Sequence, residues 1–124
     1  MGKPTVAIIG ASNDRSKYGN KAVRAYLRQG YDVYPVNPKE ETIEGLESYA
    51  SVLDVAVELD RITVYVPPAV GLELLDEIAA KNAKEVWINP GADSDAVLRR
   101  AAELSLEPVV ACSILGAGDD PDRL

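Results

Sequence analysis

Three small residues, Gly10, Ala11 and Ser12, directly follow the β-branched run Thr5 to Ile9. Residues this small let an anionic group approach the backbone. A helix starting soon afterwards would aim its first N–H groups and the positive end of its dipole at the same spot. Two cations, Arg15 and Lys17, fall in the same loop, and a third, Lys39, follows Asn37-Pro38 after the next strand-like run. In a chain of net charge −7, cations so placed suit charge-assisted hydrogen bonds to a phosphate. The same residues also read as a tight strand-to-helix turn with solvated charges on its rim. The GxGxxG pattern of dinucleotide sites is missing, since Ser12 and Arg15 occupy two of its glycine positions and Gly19 comes late. No acid ends the second run, where an NAD site places Asp or Glu for the ribose hydroxyls, although Glu40 and Glu41 stand nearby. Lys39 there suits a ribose that itself carries a phosphate.

Other chemistry has less to work with. Cys112 is the one cysteine, so no internal disulfide forms and a reducing, cytoplasmic setting is the expectation. Its thiol could exchange with a thiol-bearing ligand, or serve as a small buried residue at a strand end. The chain contains no histidine to activate it. Asp93, Ser94 and Asp95 sit where a helix start calls for a cap and acids, which is a structural reading. No catalytic residue and no metal ligand set emerges, and the chain reads more as a binder than as an enzyme.

These residues need a scaffold that brings them to one edge. Strand-like runs at Thr5 to Ile9, Tyr31 to Val36, Arg61 to Val66, Glu85 to Ile88 and Glu107 to Ala111 alternate with helical periodicity over Gly19 to Gln29, Ala69 to Lys81 and Asp95 to Leu104. Gly30, Asn37-Pro38, Pro67-Pro68 and Asn89-Pro90-Gly91 punctuate them. Between Gly45 and Asp60 the pattern is weaker, with Ser51 placed to cap a short helix over Val52 to Val55. Such alternation predicts an α/β, Rossmann-like three-layer sandwich around a five-stranded parallel sheet, with expected order 3-2-1-4-5. The domain is expected over 1–115, with 116–124 a flexible tail. With that order, the chain reversal where ligands lodge falls between the first and fourth strands. Pro67-Pro68 would add a rigid apolar step beside it.

Composition agrees. Apolar residues make up 47 % and charged residues 27 %, a globular balance, while the absence of Phe leaves an aliphatic core suited to a covered parallel sheet. The acidic balance excludes general nucleic-acid binding, and no apolar run approaches a membrane span of about 20 residues.

Several segments together, VAIIGAS (Val6 to Ser12), SKYG (Ser16 to Gly19), GYDVYPVNPK (Gly30 to Lys39), ITVYVPP (Ile62 to Pro68), VWINPGADS (Val86 to Ser94) and VVACS (Val109 to Ser113), give a chain-long resemblance. The chain resembles the small stand-alone CoA-binding proteins, whose domain is similar to the CoA-binding domain of the succinyl-CoA synthetase alpha subunit. The resemblance implies coenzyme A across the strand carboxyl ends, with Gly10, Ala11, Ser12 and Lys17 at its phosphates and Lys39 near the ribose phosphate. It further implies Val66, Pro67 and Pro68 near the adenine, and Asn89, Pro90 and Gly91 along the pantetheine path. Asn37, Arg15 and Cys112 complete the candidate set. Three functions remain open: a CoA or acyl-CoA binder without turnover, an NAD(P)-binding domain of an oxidoreductase or redox sensor, and a subunit of an acyl-CoA synthetase-like complex. A protein partner or a homo-oligomer is compatible with each.

Overall fold

The computed structural model describes residues 2–124. The chain runs through β1 (Thr5–Ile9), α1 (Tyr18–Arg28), β2 (Asp32–Val36), the two-residue strands β3 (Thr42–Ile43) and β4 (Leu46–Glu47), and a 3-10 turn (Val52–Asp54). It continues through β5 (Arg61–Val64), α2 (Pro68–Lys81), β6 (Glu85–Ile88), α3 (Asp95–Glu103), β7 (Val109–Val110), α4 (Ser113–Gly116) and a last 3-10 turn (Pro121–Arg123).

Five strands form one parallel sheet in the order β2-β1-β5-β6-β7. Alternate residues of β1 feed two cores. Ala7 and Ile9 join the layer packed with α2, α3 and the first 3-10 turn, while Val6 and Ile8 join the layer packed with α1 and α4. Helices therefore cover both faces, and the α/β, Rossmann-like class holds.

The strand order differs from the expected 3-2-1-4-5. The third strand of the sheet, β5, lies on the far side of β1 from β2, so the order is 2-1-3-4-5 when only these five strands are numbered. The physical reason lies in β2. Pro35 has no N–H to give a further strand, and proline belongs on sheet edges. Its carbonyl instead accepts from Tyr49 N–H (2.9 Å), and Asn37 N–H returns a bond to the Tyr49 carbonyl (2.9 Å). Tyr49 follows the antiparallel β3–β4 hairpin, which the sequence reading did not foresee, so the outer edge of β2 is taken. The apolar β5, with Ile62 and Thr63 wholly buried, goes to the centre instead. Ser51 does cap a short helix, through a reciprocal box with Asp54.

Residues 116–124, expected to be a flexible tail, pack against α1. The Asp119 carboxylate takes both forks of Arg28, at 3.0 and 2.6 Å, and accepts from Gln29 at 3.3 Å. Leu124 packs on the α1 core, and Gly116 lies so close to Trp87 that a methyl group there would stand 2.5 Å from the indole ring. Asp119 in this segment thus grips the basic end of α1 through Arg28. Among the described residues no helix is long and apolar enough to cross a membrane.

Candidate functional site

A cleft of about 820 Å³ opens at the carboxyl edge of the sheet, within the range typical of small-molecule sites. It lies at the point where the chain reverses across the sheet, which the observed order puts between β1 and β5 rather than between β1 and β6.

The loop after β1 forms one wall, with Gly10, Ala11 and Ser12 lining the cleft. Its shape is held from behind. The Asn20 amide, wholly buried, donates to the Ser12 carbonyl (2.8 Å) and to Glu44 (3.0 Å), and accepts from Arg24 Nε (2.7 Å). Asn13 ties the same loop to Glu40 and the Thr42 carbonyl. The Asp14 carboxylate, accepting from the Ser16 hydroxyl and N–H, sits below its ordinary carboxyl value chiefly for that reason.

The loop leads into α1, whose start has no side-chain cap and no acid in its first turn. The first N–H groups of a helix have no partner within it, so those of Tyr18 and Gly19 remain available on the cleft wall. Lys17 lines the cleft beside them and is the one charged residue among those lining it. Helix α3, whose start stays outside the lining, shows the contrast: Ser94 Oγ accepts from Val97 N–H (3.1 Å) and Asp95 occupies its first turn. Asp93, the third of that group, likewise accepts from Gly91 N–H, in keeping with its structural reading.

The remaining wall comes from the ends of β5 and β6. Val66, Pro67, Pro90 and Gly91 line it as expected. Asn37 and Asn89 line it too, but their amides are engaged within the protein. Asn37 Nδ2 donates to the Ala11 carbonyl (2.8 Å) while its Oδ1 accepts from Lys39 N–H (2.9 Å). Asn89 bonds to Thr63, to the Val64 carbonyl and to the Ser113 N–H, all within 2.8 Å. Both asparagines hold the walls together. Cys112 lines the cleft, half-buried, directly before α4.

Three expected residues stand apart from the lining. Arg15 is exposed and lies 3.9 Å from Glu44, with its carbonyl bound by Arg24. Lys39 is exposed on the neighbouring turn, and Pro68 begins α2 behind Pro67. The sequence reading missed Tyr18, Gly19, Tyr65, Ala92, Leu115 and Pro121. Tyr18 and Gly19 lie inside the SKYG segment, Tyr65 inside ITVYVPP and Ala92 inside VWINPGADS, so those motifs carried the signal for all four. Leu115 and Pro121 reach the cleft only because the last residues fold back. Among the described residues, no group of acids, cysteine and histidine is placed to hold a metal.

Fold and cleft together define a Rossmann-like α/β domain with one ligand-sized site on its carboxyl edge. The chain belongs to the CoA binding domain family, whose model matches residues 4–119. It is similar to the alpha subunit of an ADP-forming acetate–CoA ligase II from Pyrococcus furiosus, at 40 % identity over 84 residues, covering 67 % of this chain and 18 % of that protein. Among solved structures, a conserved hypothetical protein from Pyrococcus furiosus is similar at 34 % identity and TM-score 0.81, with 94 % of this chain and 99 % of that one covered. The apo form of a dinucleotide-forming acetyl-coenzyme A synthetase 1 from Ca. Korarchaeum cryptofilum is similar at 25 % identity and TM-score 0.71, covering 86 % of this chain and 26 % of that one. The chain thus spans under a fifth of the length of the ligase subunit and nearly all of the small structural relative.

Proposed function

We propose that the chain binds coenzyme A or an acyl-CoA in the carboxyl-edge cleft and does not turn it over by itself. The observation that carries this reading is the start of α1. An uncapped helix N-terminus, free of acids and flanked by Lys17, faces the cleft of a protein whose net charge is −7. Backbone N–H groups, the helix dipole and an ammonium group together suit a pyrophosphate. In this reading Gly10, Ala11 and Ser12 leave room for the pyrophosphate, and Val66 and Pro67 offer an apolar face to the adenine. Lys39, on a long side chain at the rim, reaches the ribose phosphate. Coenzyme A would supply a thiol for carrying acyl groups. The family model and the named relatives favour it, and the NAD(P) alternative has no support among them.

The absence of histidine from this sequence favours binding without turnover. A second reading follows from the ligase relative's name as an alpha subunit: this chain works beside a partner protein. A pull-down from native lysate that recovers no partner counts against it.

The test is thermal stabilisation. A ligand at a hundredfold excess over its Kd adds about 2.7 kcal/mol to the folded state. CoA should raise the melting temperature and NADH or NADPH should leave it nearly unchanged. A larger rise with a nicotinamide nucleotide overturns the reading.

A further inference from the structure

Beneath the cleft, side-chain hydrogen bonds run from Asn89 to Tyr65, and their proton order can be worked out. The Asn89 amide has one orientation, because Oδ1 accepts from the Ser113 backbone N–H (2.8 Å) and Nδ2 donates to the Val64 carbonyl (2.8 Å). Its remaining Nδ2 proton goes to Thr63 Oγ1 (2.7 Å). Thr63 is wholly buried, and the acceptor in reach of its own proton is Ser113 Oγ (2.6 Å). Ser113 is wholly buried as well, so having accepted from Thr63 it sends its proton to the Tyr65 oxygen (3.0 Å).

Three hydroxyl protons share two hydrogen bonds of 3.0 Å or less, and one is left over. Left on Thr63 or Ser113 it would strand a donor in the core, an arrangement folded proteins avoid. Tyr65 alone of the three lines the cleft. We infer that Tyr65 presents its phenolic O–H, as a donor, to an oxygen acceptor of the bound ligand, and that Asn89, Thr63 and Ser113 hold it in that sense as positioning residues. Burial pushes the Tyr65 phenol well above its ordinary value, against a weaker opposing effect of Ser113 and a smaller one of Thr63, so the proton stays on the oxygen at neutral pH.

This inference rests on the CoA reading and narrows it to a donor-only contact that selects acceptors. With the ribose phosphate assigned to Lys39 at the rim, two groups of acceptors remain for it inside the cleft: the pyrophosphate, near α1, and the oxygens of the pantetheine arm or acyl thioester, along the uncharged stretch by Cys112 and Leu115.

Calorimetric titration of the full chain with CoA, acetyl-CoA and ADP tests it. Tyr65→Phe should bind CoA about five- to tenfold more weakly, the loss of one ordinary hydrogen bond. An equal loss for ADP assigns the pyrophosphate, a loss for CoA but not ADP assigns the pantetheine arm, and a greater loss for acetyl-CoA assigns the thioester. The wild type should also show a tyrosine difference band on binding that Tyr65→Phe lacks. Thr63→Val, which touches no ligand, frees Ser113 to accept from Tyr65 and should weaken the same ligands in the same order. A Tyr65→Phe affinity within about twofold of wild type, with the tyrosine band retained, overturns the inference while leaving CoA binding intact. A wild type that does not bind CoA overturns the function itself.

Discussion

Gly19 comes so close to the carbonyl oxygen of Gly10 that a side-chain carbon at Gly19 would overlap it. Gly10 is constrained in turn: its φ is +89°, and a side-chain carbon there would stand 2.7 Å from the Tyr65 carbonyl oxygen. The end of β1, the start of α1 and the end of β5 therefore meet backbone to backbone. This contact sets the cleft wall where the phosphates are proposed to lie.

Gly19→Ala should destabilise the fold by about 1–3 kcal/mol, the usual cost of forcing extra atoms into a packed site. Because the displaced atoms belong to the wall itself, CoA affinity should fall as well. Denaturant melts and titration of the same variant check both. Wild-type stability with normal binding would show that the loop yields freely.

Lys39→Ala should weaken CoA more than dephospho-CoA. Lys39 is exposed beside the cleft, so its removal should leave the melting temperature unchanged within error. Lys17→Ala, at the α1 start, should weaken both ligands alike. Equal losses for both ligands with Lys39→Ala would remove that residue from the ribose phosphate.

Asn89→Ala removes three internal bonds at once and leaves the buried Ser113 N–H without its acceptor, while the Val64 carbonyl keeps the backbone N–H of residue 89 (3.4 Å). At roughly 1–3 kcal/mol for the stranded N–H, a loss of about 2 kcal/mol is expected in a urea melt. A loss below about 1 kcal/mol would show that water replaces the amide.

Much of this was legible beforehand, and the misses have physical causes. The periodic helices and β-branched strands were plain, because burial on both faces leaves compact runs rich in Val, Ile and Thr, such as TVAII and RITV. The strand order was misjudged although Pro35 carried the signal, since a proline cannot serve an interior strand. The loops on the carboxyl edge were identified, yet the roles of Asn37 and Asn89 changed, because only coordinates show where an amide spends its bonds. Leu115 and Pro121 left no local trace, as their place depends on Arg28 capturing Asp119 some 90 residues away in sequence.

That capture has a pH signature. The Asp119 carboxyl is held below its ordinary value of 3.8, first by the Asp120 N–H and further by Gln29 and Arg28, with burial working the other way. A carboxyl lowered in the folded state stabilises it above the unfolded value and loses that contribution as pH falls through the folded value. Asp119→Asn should melt lower at neutral pH and lose less stability below pH 3.8 than the wild type does. Parallel acid titrations of the two proteins would contradict this.

The central claim is that the carboxyl-edge cleft takes coenzyme A. Native mass spectrometry of the full chain, mixed with equal amounts of CoA and NADH, tests it most directly. The account predicts one CoA per chain and little NADH, with the CoA adduct reduced in Lys17→Ala. A chain that stays free of CoA, or takes up NADH in preference, would contradict it.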